Sequence, residues 1–194
     1  MALEPKNPET HVALGLALER AGSLTEALEA YRAGAAADPK YVEAYERLGA
    51  LYFANGRFED AAGAYEKAVS AAPRVTRDRI ALGDCRARLG RHDLAIRIYR
   101  EVLKLEPKAV EVLYRLARSV HEAEGAKPAL PLYERAAKDD PTNAMPHYYL
   151  GYMYKDRGLK ARAVAEFRRF LELKPDADEK KDIEAEIEDL GGTR

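Results

Sequence analysis

Apolar and small residues recur at three- and four-residue steps along nearly the whole chain, in stripes that stop and restart on a fixed schedule. Within residues 42–75, Tyr45, Leu48, Leu51 and Tyr52 mark one helix face. Asn55-Gly56 ends that stripe, because glycine takes positive φ at no steric cost. A second stripe follows through Phe58, Ala61, Ala62, Tyr65 and Val69. Ala72-Pro73 ends it: the residue before proline avoids the helical region, and proline has no N–H to donate. One copy is therefore a helix, a short turn and a second helix. The spacing predicts helix pairs over 8–21 and 24–37, 42–55 and 58–71, 76–89 and 92–105, 110–123 and 127–139, and 144–157 and 160–173. A polar helix over 178–190, with Ile183, Ile187 and Leu190 on one stripe, follows them.

The schedule is 34 residues long. Pro5, Pro39, Pro73, Pro107, Pro141 and Pro175 stand 34 apart without slippage. Gly15, Gly49, Gly83 and Gly151 share one phase, with Ala117 in the fourth copy. Gly22, Gly56, Gly90 and Gly158 share a second, with Gly125 one residue late. A period of this size signals stacked supersecondary units. The divisions are a stub of a preceding unit at 1–7, five units at 8–41, 42–75, 76–109, 110–143 and 144–177, a cap at 178–190 and a disordered tail at 191–194. The mid-helix glycines lie beside Leu14, Leu48, Leu82 and Leu150, which points to close helix approach within each pair. Tyr31, Tyr65, Tyr99, Tyr133 and Phe167 supply the large side chain on the second helix. Pro128 and Pro131, with the late Gly125, predict a distorted turn in the fourth copy.

The order of these residues resembles the tetratricopeptide repeat. Residues 42–75 carry Tyr45, Leu48, Gly49, Tyr52, Ala61, Tyr65, Ala68 and Pro73 at the family's positions. Residues 144–177 carry His147, Leu150, Gly151, Tyr154, Ala163, Phe167, Phe170 and Pro175. The third copy departs, with Arg79 and Arg86 at two aromatic positions. The resemblance implies an all-α fold, a right-handed α-solenoid of antiparallel helix pairs: five repeats plus a C-terminal capping helix. It implies a protein–protein interaction scaffold or adaptor without catalysis, binding a partner segment in the groove lined by the first helices. The alternatives are a regulatory or targeting arm of a larger enzyme, or an assembly factor for envelope, pilus or motility machinery.

Composition narrows the chemistry. The chain has 32 Lys+Arg against 33 Asp+Glu, so no global charge attracts nucleic acid or anionic lipid. No apolar run is long enough for membrane insertion. One cysteine, Cys85, gives no internal disulfide or Cys-based zinc site, and its surroundings predict a buried, inert thiol. His11, His92, His121 and His147 are scattered without metal-ligand spacing, and His92 is expected to be exposed. No phosphate loop occurs, so neither cofactor nor active site is expected. Cytoplasmic location is the default expectation. Ala- and Arg-rich composition suggests a GC-rich bacterium. The stub Leu3-Glu4-Pro5-Lys6 suggests a piece of a longer array, whose uncapped first pair would support a homodimer.

Groove positions differ between the two halves. The first two copies lean acidic. The later copies gather Arg88, Arg115, Arg118, His121 and Lys155 around Tyr114, Tyr148, Tyr149 and Tyr152. Tyr and Arg offer contact area with few lost rotamers and a fixed donor fork. These nine residues are the candidate partner-binding site, suited to an extended or helical peptide with an acidic side chain or C-terminal carboxylate. The two-carboxylate clamp of chaperone-binding arrays is absent from every window, so an Hsp70 or Hsp90 tail is not the expected partner.

Overall fold

The computed structural model describes residues 7–192. Those residues form eleven helices and no strand: α1 Pro8–Arg20, α2 Leu24–Ala37, α3 Val42–Ala54, α4 Phe58–Ala71, α5 Thr76–Arg88, α6 His92–Leu105, α7 Val110–Glu124, α8 Ala126–Asp139, α9 Ala144–Asp156, α10 Lys160–Leu173 and α11 Lys180–Asp189. This is the all-α helical solenoid class, built from successive helix pairs. The expected stub at 1–7 lies outside the described residues except for Asn7, whose side chain caps α1 at Glu9 N (2.9 Å).

The chain divides into two compact units, one ending at Glu106 and the other starting at Pro107. In the first, α1 packs on α2, α3 on α4 and α5 on α6, and consecutive pairs meet through α2 with α3 and α4 with α5. In the second, α7 packs on α8 and α9 on α10; α8 meets α9, and α11 closes on α10.

Four of the five pairs are locked by a glycine under one ring. A Cβ on Gly49 would stand 2.8 Å from Tyr65 Cε2 and Cζ. Gly15, Gly83 and Gly151 lie closer still under Tyr31, Tyr99 and Phe167. The crossing residue Ala27 and its equivalents Ala61, Ala95, Ala129 and Ala163 are wholly buried. Glycine inside a helix costs about 0.5–1 kcal/mol against alanine; the buried ring above it offsets that several times over.

Turns inside the pairs use left-handed glycine. Gly56 has φ +72°, and the Arg57 N–H bonds back to Tyr52 O at 2.9 Å. The turn in the fourth copy is shorter: Gly125 (φ +89°) alone both ends α7 and precedes α8. The distortion expected there appears as this one-residue turn. Proline does not break the helix, since α8 runs unbroken through Pro131. The missing N–H would have met the carbonyl of exposed Lys127, which water can satisfy.

At the far end, Ile183 and Ile187 of α11 are buried. Gly191 and Gly192, expected to open a disordered tail, instead close α11: the Gly192 N–H bonds Ile187 O at 2.8 Å. Residues 193 and 194 lie outside the described set. Cys85 is buried as expected, and burial pushes its thiol up to about 12.

Candidate functional site: an aromatic face on α7 and α9

Eight of the nine candidate residues lie in the second unit, on two first helices. Helix α7 presents Tyr114, Arg115, Arg118 and His121 at steps of one, three and three. Helix α9 repeats those steps with Tyr148, Tyr149, Tyr152 and Lys155. All eight are half-buried. Arg88 belongs to the first unit, where its guanidinium lies 4.7 Å from the Phe58 ring centre and 5.8 Å from that of Phe53.

The rings form one continuous run. Tyr149 stacks on Tyr133 of α8 at 5.0 Å and 15°. Tyr114 sits 6.2 Å from both. His121 meets Tyr149 edge-on at 5.9 Å and Tyr133 at 6.1 Å. Tyr148 continues the run edge-on to Tyr149 (5.4 Å) and Tyr152 (5.1 Å), and tilts onto Phe170 at 5.3 Å. Tyr152 stands edge-on to Phe167 at 5.0 Å. Offset and edge contacts of this kind contribute about 0.5–1.5 kcal/mol each beyond area. Tyr133 is wholly buried, while Tyr114, Tyr148, Tyr149 and Tyr152 pack on the core and keep part of their surface in solvent.

The site's polar groups are unevenly satisfied. Burial, reinforced by Tyr149, raises the Tyr114 hydroxyl to about 12, and Arg118 opposes that rise. Burial also pushes the Tyr133 hydroxyl far above its ordinary range, and it finds no hydrogen-bond partner among the described residues. His121 Nδ1 is likewise buried without a partner. Arg115 donates to the Glu111 carbonyl at 2.8 Å. Arg118 has no carboxylate partner among the described residues. Lys155 does: its ammonium pairs with Glu186 of the capping helix, so its charge is engaged within the fold. Of the other histidines, His147 is buried, with Nδ1 2.6 Å from Glu166 Oε2. His92 is half-buried rather than exposed, its Nδ1 unpartnered at the start of α6.

One group escaped sequence reasoning. Asp78, on α5 of the first unit, is buried at 1% exposure and lines a cleft with Glu46, Arg77 and Tyr65. Comparison along the 34-residue lattice could have found it, because the same position holds Ala44, Val112 and Pro146.

Two family models described as tetratricopeptide repeat match the chain, one over residues 3–75 and 126–178 and the other over 76–119. The chain belongs to the tetratricopeptide repeat family. It is thereby a protein-interaction scaffold in that family's general sense. The six residues left between the matches, 120–125, end at the displaced Gly125. Solved structures of similar fold include YrrB, described as a TPR protein with an unusual peptide-binding site (18% identity, 94% of each chain, TM-score 0.74). They also include MamA from Desulfovibrio magneticus RS-1 (20% identity, 91% of this chain and 99% of that one, TM-score 0.78). PilF of Pseudomonas aeruginosa is a third (20% identity, 94% and 83%, TM-score 0.75). No curated protein matches the chain. No helix among the described residues is long and apolar enough to cross a membrane.

Proposed function

We propose that the chain is a non-catalytic adaptor that binds a peptide segment of a partner protein on the aromatic face of α7 and α9. The observation that carries this reading is Arg118: a half-buried guanidinium beside a run of half-buried tyrosines, with no carboxylate partner among the described residues. A guanidinium in that setting takes a carboxylate with a bidentate, charge-assisted bond. The partner's apolar or aromatic side chain lies along Tyr114, Tyr148 and Tyr152, and its acidic side chain or C-terminal carboxylate meets Arg118. Arg115 flanks the carboxylate. Lys155 acts indirectly, holding the cap.

The experiment is a comparison of partner binding by wild type and Arg118→Glu, with thermal melting of both. Lost binding at unchanged melting temperature supports the reading. Retained binding, or a melting temperature lowered by several degrees, contradicts it.

A further inference from the structure

We infer that the first unit carries a second, chemically opposite site: a cleft between α3, α4 and α5 in which Asp78 receives the guanidinium of an arginine from a partner polypeptide.

The cleft has a volume of about 280 Å³ and is lined by Glu46, Arg47 and Ala50 of α3, Tyr65 of α4, and Arg77, Asp78 and Ala81 of α5. Small side chains at Ala50 and Ala81 leave it open. Its acid is anomalous. The other described copies with a buried residue at this position use Ala44, Val112 and Pro146, so packing does not call for a carboxyl group there. Asp78 Oδ2 is buried without a hydrogen-bond donor among the described residues, and Oδ1 lies 3.8 Å from Arg77 Nε, beyond hydrogen-bonding distance. A buried carboxylate left in this state is costly unless something pairs with it.

The surrounding charges show what would pair. Arg47 bonds Glu43 at 3.1 Å on its own helix, and Arg77 pairs with Glu46 across the cleft. Those two pairs cancel, and Asp78 remains as the unbalanced negative charge. Burial first, and then the Glu46 carboxylate, which repels the ionised form and accepts the proton of the neutral one, hold the Asp78 carboxyl up at about 6, so it is the ionised form that lacks a donor at Oδ2. An entering cation opposes both effects by stabilising the ionised form. A guanidinium fits better than an ammonium, because its planar fork can satisfy the vacant Oδ2 and the weakly engaged Oδ1 together. The charged side chain of Arg77 is largely exposed and can swing aside to admit it. Nothing in this site draws on the aromatic face of the second unit, so either can fail alone.

The test uses the full chain and two capped peptides, Gly-Gly-Arg-Gly-Gly and its citrulline counterpart, which keeps the shape and loses the charge. Methyl resonances of Ala50 and Ala81 are followed by NMR during titration near neutral pH. The arginine peptide should shift both and saturate, while the citrulline peptide binds about tenfold more weakly or worse. Asp78→Asn should lose the same preference while melting no lower than wild type, and Arg118→Glu should leave it intact. Equal response to both peptides, no response to either, or an unchanged preference in Asp78→Asn would overturn the site. Free arginine saturating at lower concentration than the peptide would overturn its assignment to a polypeptide.

Discussion

Arg86 of α5 reaches back to Glu66 of α4, with Nη2 2.5 Å from Oε1. The contact spans 20 residues, and two other copies make it with different chemistry. Arg32 Nη2 donates to the Tyr52 hydroxyl at 2.6 Å, and the Tyr154 hydroxyl donates to Glu134 at 2.7 Å. The departure of Arg86 from the aromatic consensus is therefore matched by an acid at the facing position. Arg86 also reaches Glu59 at 3.1 Å, and Glu59 meets Arg91. The Glu59 carboxyl is held below its ordinary range chiefly by Arg86.

This relationship predicts a coupling. In a double-mutant cycle of Arg86→Ala and Glu66→Ala, urea unfolding should show an interaction of about 0.5–1 kcal/mol. Arg86→Tyr should lose less than Arg86→Ala, because a phenol can donate to Glu66 as Tyr154 does to Glu134. Strict additivity of the two alanine changes would show that the contact contributes nothing.

Gly49→Ala places a methyl 2.8 Å from two atoms of the Tyr65 ring, closer than packed carbon atoms tolerate. Tyr65 is itself buried between helices and cannot yield freely. The overpacking should cost about 1–3 kcal/mol, against a helix-propensity gain of about 0.5–1. A lowered melting temperature is expected; a raised one would mean that the ring moves without penalty. The fourth copy, with Ala117 buried at this position, shows that a pair can be built around a methyl from the start.

Asp78 makes stability depend on pH with a definite sign. Its folded carboxyl titrates near 6 against an ordinary 3.8, so between those values the folded chain holds a proton that the unfolded chain has released. Raising pH through that window therefore removes stability, and above it the loss is complete. Relative to Asp78→Ala, wild type should lose stability as pH rises from about 4 to about 6. Parallel stability curves for the two proteins would contradict the assignment.

Cys85 should be silent to a water-soluble thiol reagent in the native state and react fully in denaturant. Its side chain is wholly buried and its thiol titrates far above neutrality. Rapid native labelling would show that α5 opens readily.

Helix positions were legible in the sequence because backbone constraints announce them. Gly22, Gly56, Gly90 and Gly158 all take positive φ, and each lies where one helix of a pair must stop. The ring over each mid-helix glycine was equally legible, since both residues keep their phase. The candidate site was only partly so. Periodicity placed Tyr114, Tyr148, Tyr149 and Tyr152 on matching steps, but could not tell that Lys155 is tied to Glu186, 31 residues on and beyond the last repeat. Nor could it show that Arg88 lies over Phe58. Asp78 was hidden for the opposite reason. An acid in the first turn of a helix is unremarkable by local rules, and only its burial, set by neighbouring helices, makes it exceptional.

Arg118 and its tyrosines are proposed to bind a carboxylate-bearing segment. The direct measurement is selection of peptides from a random library on the wild-type chain, followed by affinities for wild type and Arg118→Glu at matched folding stability. The account predicts selected peptides with an acidic residue or free C-terminus next to an apolar one, bound at least about tenfold more weakly by Arg118→Glu. Peptides without such a carboxylate, or equal affinity for both proteins, would contradict it.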